Sequence, residues 1–317
     1  MVPYSLSGRR VWVAGHSSLI GRALCSRLKR EDCEILTVSQ GEVDLRRQQG
    51  VEHWLEENKP DTVIVAAATV GGIEANRTKP VDFLYDNLMI GANVIHAAAA
   101  TDVKKLMYLG SSCFYPRLAE QPINEKSLLT GPLEPTNEAY ALAKIASTKL
   151  CEAYRRQHGA DFITAVPSNL YGPEDHFDSE GAHVIPSLIS RFHNAKVNNL
   201  PEVTLWGTGS AIREFLYVGD AADGLVHVLK NYSDISPINV SGEEGVSIAQ
   251  LAVIIAEVVG YEGTLRNDTT KPDGMPKKVL DASLIQSLSW KPKISLIQGL
   301  EFTYQDYLNI SKTVCSV

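Results

Sequence analysis

Tyr140 and Lys144 stand four residues apart in Tyr140-Ala141-Leu142-Ala143-Lys144, a spacing that puts a phenol and an ammonium on one face of a helix. A cation beside a phenol favours the phenolate, so the pair suits proton exchange with a sugar oxygen while a hydride moves at the adjacent carbon. Ser111 and Cys113 lie in Gly110-Ser111-Ser112-Cys113, directly after the apolar run Lys105 to Leu109. If that run is a strand of a parallel sheet, its end falls at the edge where such sheets build their sites, and Ser111 can donate a hydrogen bond to the same oxygen. Gly15-His16-Ser17-Ser18-Leu19-Ile20-Gly21 follows another apolar run, Arg10 to Ala14. Its glycines let backbone N–H groups and a helix N-terminus approach a pyrophosphate. Each feature has a bland reading when taken alone, as a solvated helix face, a small buried thiol or an ordinary tight turn. Their joint placement points to chemistry.

These residues need a scaffold, and the chain alternates strand and helix patterns. Strand-like runs are Arg10 to Ala14, Glu34 to Val38, Thr62 to Ala68, Lys105 to Leu109 and Phe162 to Val166, with helix-like stretches at Arg22 to Glu31, Val51 to Asn58, Ala92 to Ala100 and Glu138 to His158. Continuous apolarity in the third run predicts burial on both faces. The order predicts an α/β fold, a doubly wound parallel sheet, with a smaller, mainly C-terminal α+β domain. Residues 1–172 form the expected dinucleotide-binding domain, with a return contribution from about 213–245, and residues 173–317 the expected substrate domain. Beyond Gly172 the helix-like stretches are Ile185 to Phe192, Ala221 to Lys230, Ser247 to Val259 and Ser295 to Leu308, the last two each opening on a capping serine, and Ile238 to Val240 is strand-like.

The 317 residues carry 30 basic and 37 acidic side chains, a net charge of −7 that argues against a general nucleic-acid or membrane surface, so any anionic ligand must be held locally. Apolar runs are too short to span a bilayer, and the first residues lack a secretory pattern. Five scattered cysteines form no CxxC pair, His16, His176 and His193 suggest no metal set, and no metal is expected. The cytoplasm is the expected compartment. Ser39, Gln40 and Gly41 after the second strand include neither an acid for a ribose hydroxyl nor an arginine for a 2′-phosphate, so the residues themselves leave NAD and NADP open.

The nucleotide turn, the serine after the fourth strand and the YxxxK resemble the extended short-chain dehydrogenase/reductase superfamily, which acts mostly on nucleotide sugars. A finer similarity, to the GDP-L-fucose synthase family of 3,5-epimerases and 4-reductases, is carried by AAATVGGIEAN (Ala66 to Asn76), LGSSCFYP (Leu109 to Pro116), LEPTNEAYALAK (Leu133 to Lys144), PSNLYGP (Pro167 to Pro173), HVIPSLISRFH (His183 to His193), WGTGSAIREFLYV (Trp206 to Val218) and KPDGMPKKVLD (Lys271 to Asp281). The resemblance implies a GDP-4-keto-6-deoxy-D-mannose substrate, whose protons on carbons 3 and 5 are acidic because the ketone at carbon 4 stabilises an enolate. It implies Cys113 and His183 as base and opposing acid, Ser111 and Tyr140 as enolate stabilisers, and Lys144 as the residue that binds the ribose and lowers the tyrosine pKa.

Cofactor contacts implied in the same way are Gly15, Ser17, Ser18, Leu19, Ile20, Gly21, Gln40, Leu109, Gly110, Ser111, Lys144, Pro167, Asn169, Leu170 and His183; substrate contacts are Asn169, Arg191, Trp206, Arg213 and Asp273. The family loop is commonly GHRGMVG, and its arginines after the second strand correspond to Val38 and Gln40 here. NADP(H) is the implied reductant, with NAD(H) use open because those arginines are missing. Thr69 replaces a family lysine. The resemblance also implies a homodimer through helices of the first domain. Two alternatives stand beside it: an epimerase/reductase of a related GDP-4-keto-deoxyhexose or heptose, and a catalytically silent nucleotide-binding regulator.

Overall fold

The structure, a computed structural model, describes residues 3–177, 182–242, 244–271 and 273–314. Cys315, and Pro272 of the KPDGMPKKVLD segment, lie outside them. The first half alternates as β1 (Arg9–Ala14), α1 (Leu19–Leu28), β2 (Cys33–Leu36), α2 (Gln48–Asn58), β3 (Thr62–Val65), α3 (Ile73–Thr78), α4 (Pro80–Ala100), β4 (Lys105–Leu109), α5 (Glu138–His158), β5 (Phe162–Pro167) and β6 (Asn169–Tyr171). The second half continues with α6 (Val184–Val197), β7 (Glu202–Trp206), β8 (Ile212–Tyr217), α7 (Val218–Asn231), β9 (Ile238–Val240), β10 (Gly245–Ser247), α8 (Ile248–Val259), β11 (Thr264–Asp268), β12 (Lys277–Lys278), α9 (Ser283–Ser287) and α10 (Leu296–Val314).

Six strands form one parallel sheet in the order β2-β1-β3-β4-β5-β9, the doubly wound arrangement expected. Ile238–Val240 reaches it by pairing with Ala165–Pro167. Period-two alternation sends Val11 and Val13 to one face, where they pack with Leu24, Leu28, Val226 and Leu229 of α1 and α7. Trp12 and Ala14 go to the other face, against Val51, Leu55, Val94, Ala97 and Cys151 of α2, α4 and α5. Helices on both faces bury every residue of β3 and β4, which is why those strands read as unbroken apolar runs. A separate core joins α6, α8 and α10, with Ile189, Phe192, Ile255, Val259 and Leu300 buried together.

Boundaries depart from expectation where caps or exposure decide them. Helix α1 starts at Leu19 instead of Arg22, because the Ser18 side chain accepts the Gly21 N–H and opens the helix inside the glycine loop. Strand β3 ends at Val65, before Ala68. Helix α4 begins at Pro80, a residue suited to a first helical position, twelve residues ahead of the expected Ala92. Strand β4, strand β9 and helix α5 run as expected, and Ser247 closes a full capping box with Gln250 at α8.

Candidate active site

The phosphate turn leaves β1 at Gly15, whose φ of +90° and close approach to Ala67, 2.4 Å from a would-be Cβ, admit only glycine. At Gly21 a Cβ would lie 2.1 Å from the Gly15 carbonyl, so strand end and helix start are pressed together. Ser18, which replaces the family glycine, donates to the Gly15 carbonyl (2.8 Å) and accepts from Gly21 N–H (3.1 Å). The N–H groups of Leu19 and Ile20 have no intrahelical acceptor at this helix start. His16 Nδ1 is buried without a hydrogen-bond partner among the described residues. An orphaned donor or acceptor beside a helix N-terminus and a glycine cradle fits a dinucleotide diphosphate. Ser17 and Gln40 are exposed at the outer rim. Glu42 folds back there to accept from the Ser39 N–H and hydroxyl. Arg46 is held by Asp44 and Asp86, and Thr69, in place of the family lysine, donates to Asp86 as well.

The catalytic set gathers at the carboxyl end of β4. Gly110 ends the strand and Ser111 caps the single turn Ser112–Phe114, accepting the Cys113 N–H at 3.3 Å. Tyr140 enters from α5, its ring edge-on to Phe83 of α4 at 6.3 Å. Its hydroxyl is hydrogen-bonded to Ser111 and lies within electrostatic reach of Cys113. Burial and Cys113 push the phenol above its ordinary value, and the Ser111 bond only partly opposes them. Lys144 is 3% exposed and donates to the Leu109 carbonyl at 2.9 Å, with the Tyr108 and Tyr140 rings 4.8 and 5.8 Å from its nitrogen. Burial takes its pKa down to about 7. Desolvation thus acts on both members of the pair, raising the phenol and lowering the amine. Leu109, Gly110 and Pro167 of β4 and β5 line the same edge; Asn169 donates to the Glu214 carbonyl (2.6 Å), with Leu170 beside it on β6.

From the second half comes a set of cations. Arg213 sits within β8 and donates to the carbonyls of Ile212 and Asp273. Arg191 on α6 donates to the Thr204 carbonyl. Both are part-buried, burial lowers both pKa values, and neither forms an ion pair with another described residue. Lys278 was not anticipated: β12 runs parallel to β8 with Lys278 opposite Arg213, and its Nζ is 3.6 Å from Cys113 Sγ. The sequence signal was its place in the KPDGMPKKVLD segment, but only the fold brings it to Cys113. Trp206, 56% exposed at the end of β7, carries Lys271 5.2 Å from its ring. Asp273 accepts from the Thr208 N–H and hydroxyl, so its carboxylate already organises the 207–210 turn. His183 caps α6 without a side-chain cap bond. Protein packed around it lowers its pKa, against the opposing charge of Asp175. No group of three His, Cys, Asp or Glu that could hold a metal is found among the described residues.

A dinucleotide cradle, a Ser-Tyr-Lys set and a thiol at one sheet edge define a nucleotide-sugar epimerase or reductase of the doubly wound class. The model of the NAD dependent epimerase/dehydratase family matches residues 11–241, and the chain belongs to that family. Within it, the chain is 52% identical to GDP-L-fucose synthase 1 of Arabidopsis thaliana, the match covering 97% of this chain and 94% of that one. Among solved structures, a GDP-L-fucose synthetase from Naegleria fowleri bound to NADP superposes with a TM-score of 0.88 at 30% identity, covering 98% of both chains. A GDP-6-OMe-4-keto-L-xylo-heptose reductase from C. jejuni superposes at 0.91 and 32%, covering 97% of this chain and 99% of that one.

Proposed function

We propose that the protein is a GDP-L-fucose synthase, which epimerises GDP-4-keto-6-deoxy-D-mannose at carbons 3 and 5 and then reduces carbon 4. The observation that carries this reading is the meeting of Cys113, Ser111 and Tyr140 with Lys278 at the end of β4, in a chain half identical to enzymes of that name. Cys113 takes the proton from carbon 3 or 5, and His183 returns one on the opposite face. Ser111 and Tyr140 hold the enolate oxygen with hydrogen bonds that strengthen as charge develops. A nicotinamide held by the Gly15 to Gly21 cradle would supply the hydride for carbon 4. Tyr140 gives its proton to the carbonyl oxygen, and the Lys144 ammonium stabilises the phenolate left behind. Arg191 and Arg213, part-buried and unpaired by carboxylates, hold the diphosphate, repaying their desolvation when the anion arrives. Trp206 offers a flat apolar face to the base.

The reductant is NADP(H), supported by the NADP-bound homologue and by the cradle at Gly15 to Gly21. Without an arginine at Ser17 or Gln40 the 2′-phosphate gains little, so NADH supports turnover too. Val81, Leu84, Tyr85 and Leu88 form an exposed apolar stripe at helical spacing on α4, continued by Leu142 on α5, and this face joins two copies in a homodimer. The enzyme works in the cytoplasm; among the described residues no helix is long and apolar enough to cross a membrane. The heptose reductase likeness keeps one rival substrate class in view. Incubation with GDP-4-keto-6-deoxy-D-mannose and NADPH or NADH, with NMR of the product, decides. Oxidation of the nicotinamide with formation of GDP-L-fucose is expected, and an unreacted sugar in a folded sample refutes the proposal.

A further inference from the structure

Lys277 and Lys278 are neighbours in sequence with different surroundings: along β12 the first is exposed and the second half-buried, as the two-residue period of a strand requires. Parallel pairing with β8 sets Lys278 beside Arg213, so two cations share one face of the strand pair. Like charges in that relation repel, and among the described residues no carboxylate bridges either of them. What meets Lys278 is Cys113 Sγ, 3.6 Å from its Nζ and within the longer reach of a sulfur acceptor. The backbone holds both partners in place. Gln121 donates to the Lys277 carbonyl (3.1 Å) and accepts the Val279 N–H (3.0 Å), and the Ile123 N–H donates to the Val279 carbonyl (2.8 Å). Strand β12 is thus clamped between β8 and the chain that follows the Cys113 turn, while Cys113 donates its own N–H to Ser111 Oγ. Arg213 of β8 and Tyr140 of α5 are the other described titratable groups within electrostatic reach of the sulfur, and His183 at the start of α6 is within such reach of Lys278.

Resting on the reading of Cys113 as the base of epimerisation, we propose that Lys278 is its positioning residue, an ammonium that pairs with Sγ and holds the sulfur in place as a thiolate. The thiolate is the form that can take a proton, and a cation beside it favours that form over the thiol. In the step itself a C–H bond at carbon 3 or 5 breaks and an S–H bond forms. The electron pair of the broken bond moves into the enolate, whose oxygen Ser111 and Tyr140 hold. Cys113 is left a neutral thiol, and its proton passes to solvent as the ion pair with Lys278 is restored. Inverting two carbons calls on the same sulfur twice, and the ammonium draws it back to the thiolate each time. Arg213 donates instead to the Ile212 and Asp273 carbonyls and stays with the diphosphate.

Alkylation of Cys113 by iodoacetamide reports the thiolate without any substrate, and mass spectrometry of the Cys113 peptide follows it against pH in the intact protein. Lys278→Met should slow it about 10-fold or more at neutral pH and displace its rise to higher pH, with the wild-type rate regained where any thiol is ionised. Lys278→Arg should restore part of the loss. Solvent deuterium entering carbons 3 and 5 of GDP-4-keto-6-deoxy-D-mannose in D2O should show the same displacement, through kcat at little change in KM. Absence of exchange in the wild type strikes the proposed function; the pairing of Lys278 with Cys113 is judged on alkylation in either case. An unmoved alkylation limb in folded Lys278→Met would overturn the proposal. So would a loss carried by KM alone with both pH limbs in place, which assigns the ammonium to the diphosphate beside Arg213.

Discussion

At the amino end of β4, Lys105 is 1% exposed and its Nζ donates to Asp161 (2.7 Å) and to the Tyr232 carbonyl (2.8 Å), while Arg155 and Ser233 take the other oxygen of Asp161. At the carboxyl end of the same strand, Lys144 is 3% exposed and has one neutral acceptor, the Leu109 carbonyl. Burial lowers both amines, but Asp161 opposes it at Lys105, whereas nothing opposes it at Lys144. Arg191 and Arg213 follow the second pattern, with backbone carbonyls as partners and no carboxylate bridge. Charges that only hold the fold together are neutralised within it. Charges at the sheet edge that binds ligand are left for the ligand to neutralise.

The comparison breaks if the two ends respond alike to substitution. Asp161→Asn strips the counter-charge from a buried ammonium and should cost about 3 to 5 kcal/mol of stability, read by urea unfolding, while the rates of the folded fraction stay near wild type. Lys144→Met should behave in the reverse way, lowering carbon-4 reduction about 100-fold or more while stability at neutral pH is held or raised. The sign follows from linkage. An amine with a folded pKa of about 7 and an ordinary value of 10.5 binds fewer protons folded than unfolded between those limits, so its destabilisation fades as pH rises from about 7 to 10.5. Lys144→Met should flatten that upward slope, and a variant as steep as wild type counts against the buried amine. Arg213→Gln sharpens the contrast with the smallest effect, a KM for the nucleotide sugar raised about 10-fold or more with unfolding unchanged.

Much of the parallel sheet was legible because burial on both faces turns strands into apolar runs between turn signals; β4 and β9 follow their expected limits for that reason. Helix α5 was equally plain, with amphipathic spacing to His158 and a left-handed Gly159 after it. The first half of α4 was not, because Val81, Leu84, Tyr85 and Leu88 point an apolar stripe outward and blur the contrast between core and solvent faces. The start of α1 was hidden inside a loop whose serine doubles as a cap. In the site, Ser111, Cys113, Tyr140 and Lys144 were legible because they flank one strand end and one helix face. Lys278 was not: a lysine beside another lysine gains meaning only when β12 is laid against β8. The burial of Lys144 and Tyr140 was hidden for a similar reason, since spacing gives proximity but not desolvation.

One experiment reaches the claim that a single sheet edge runs two separable chemistries. Cys113→Ser and Tyr140→Phe are each incubated with GDP-4-keto-6-deoxy-D-mannose in D2O, and deuterium at carbons 3 and 5 is followed by NMR alongside oxidation of NADPH by absorbance. The account predicts that Cys113→Ser loses exchange and forms no GDP-L-fucose for want of epimerised ketone, whereas Tyr140→Phe loses about 100-fold or more of its reduction and keeps most of its exchange. Equal loss of both activities in both folded variants would contradict it.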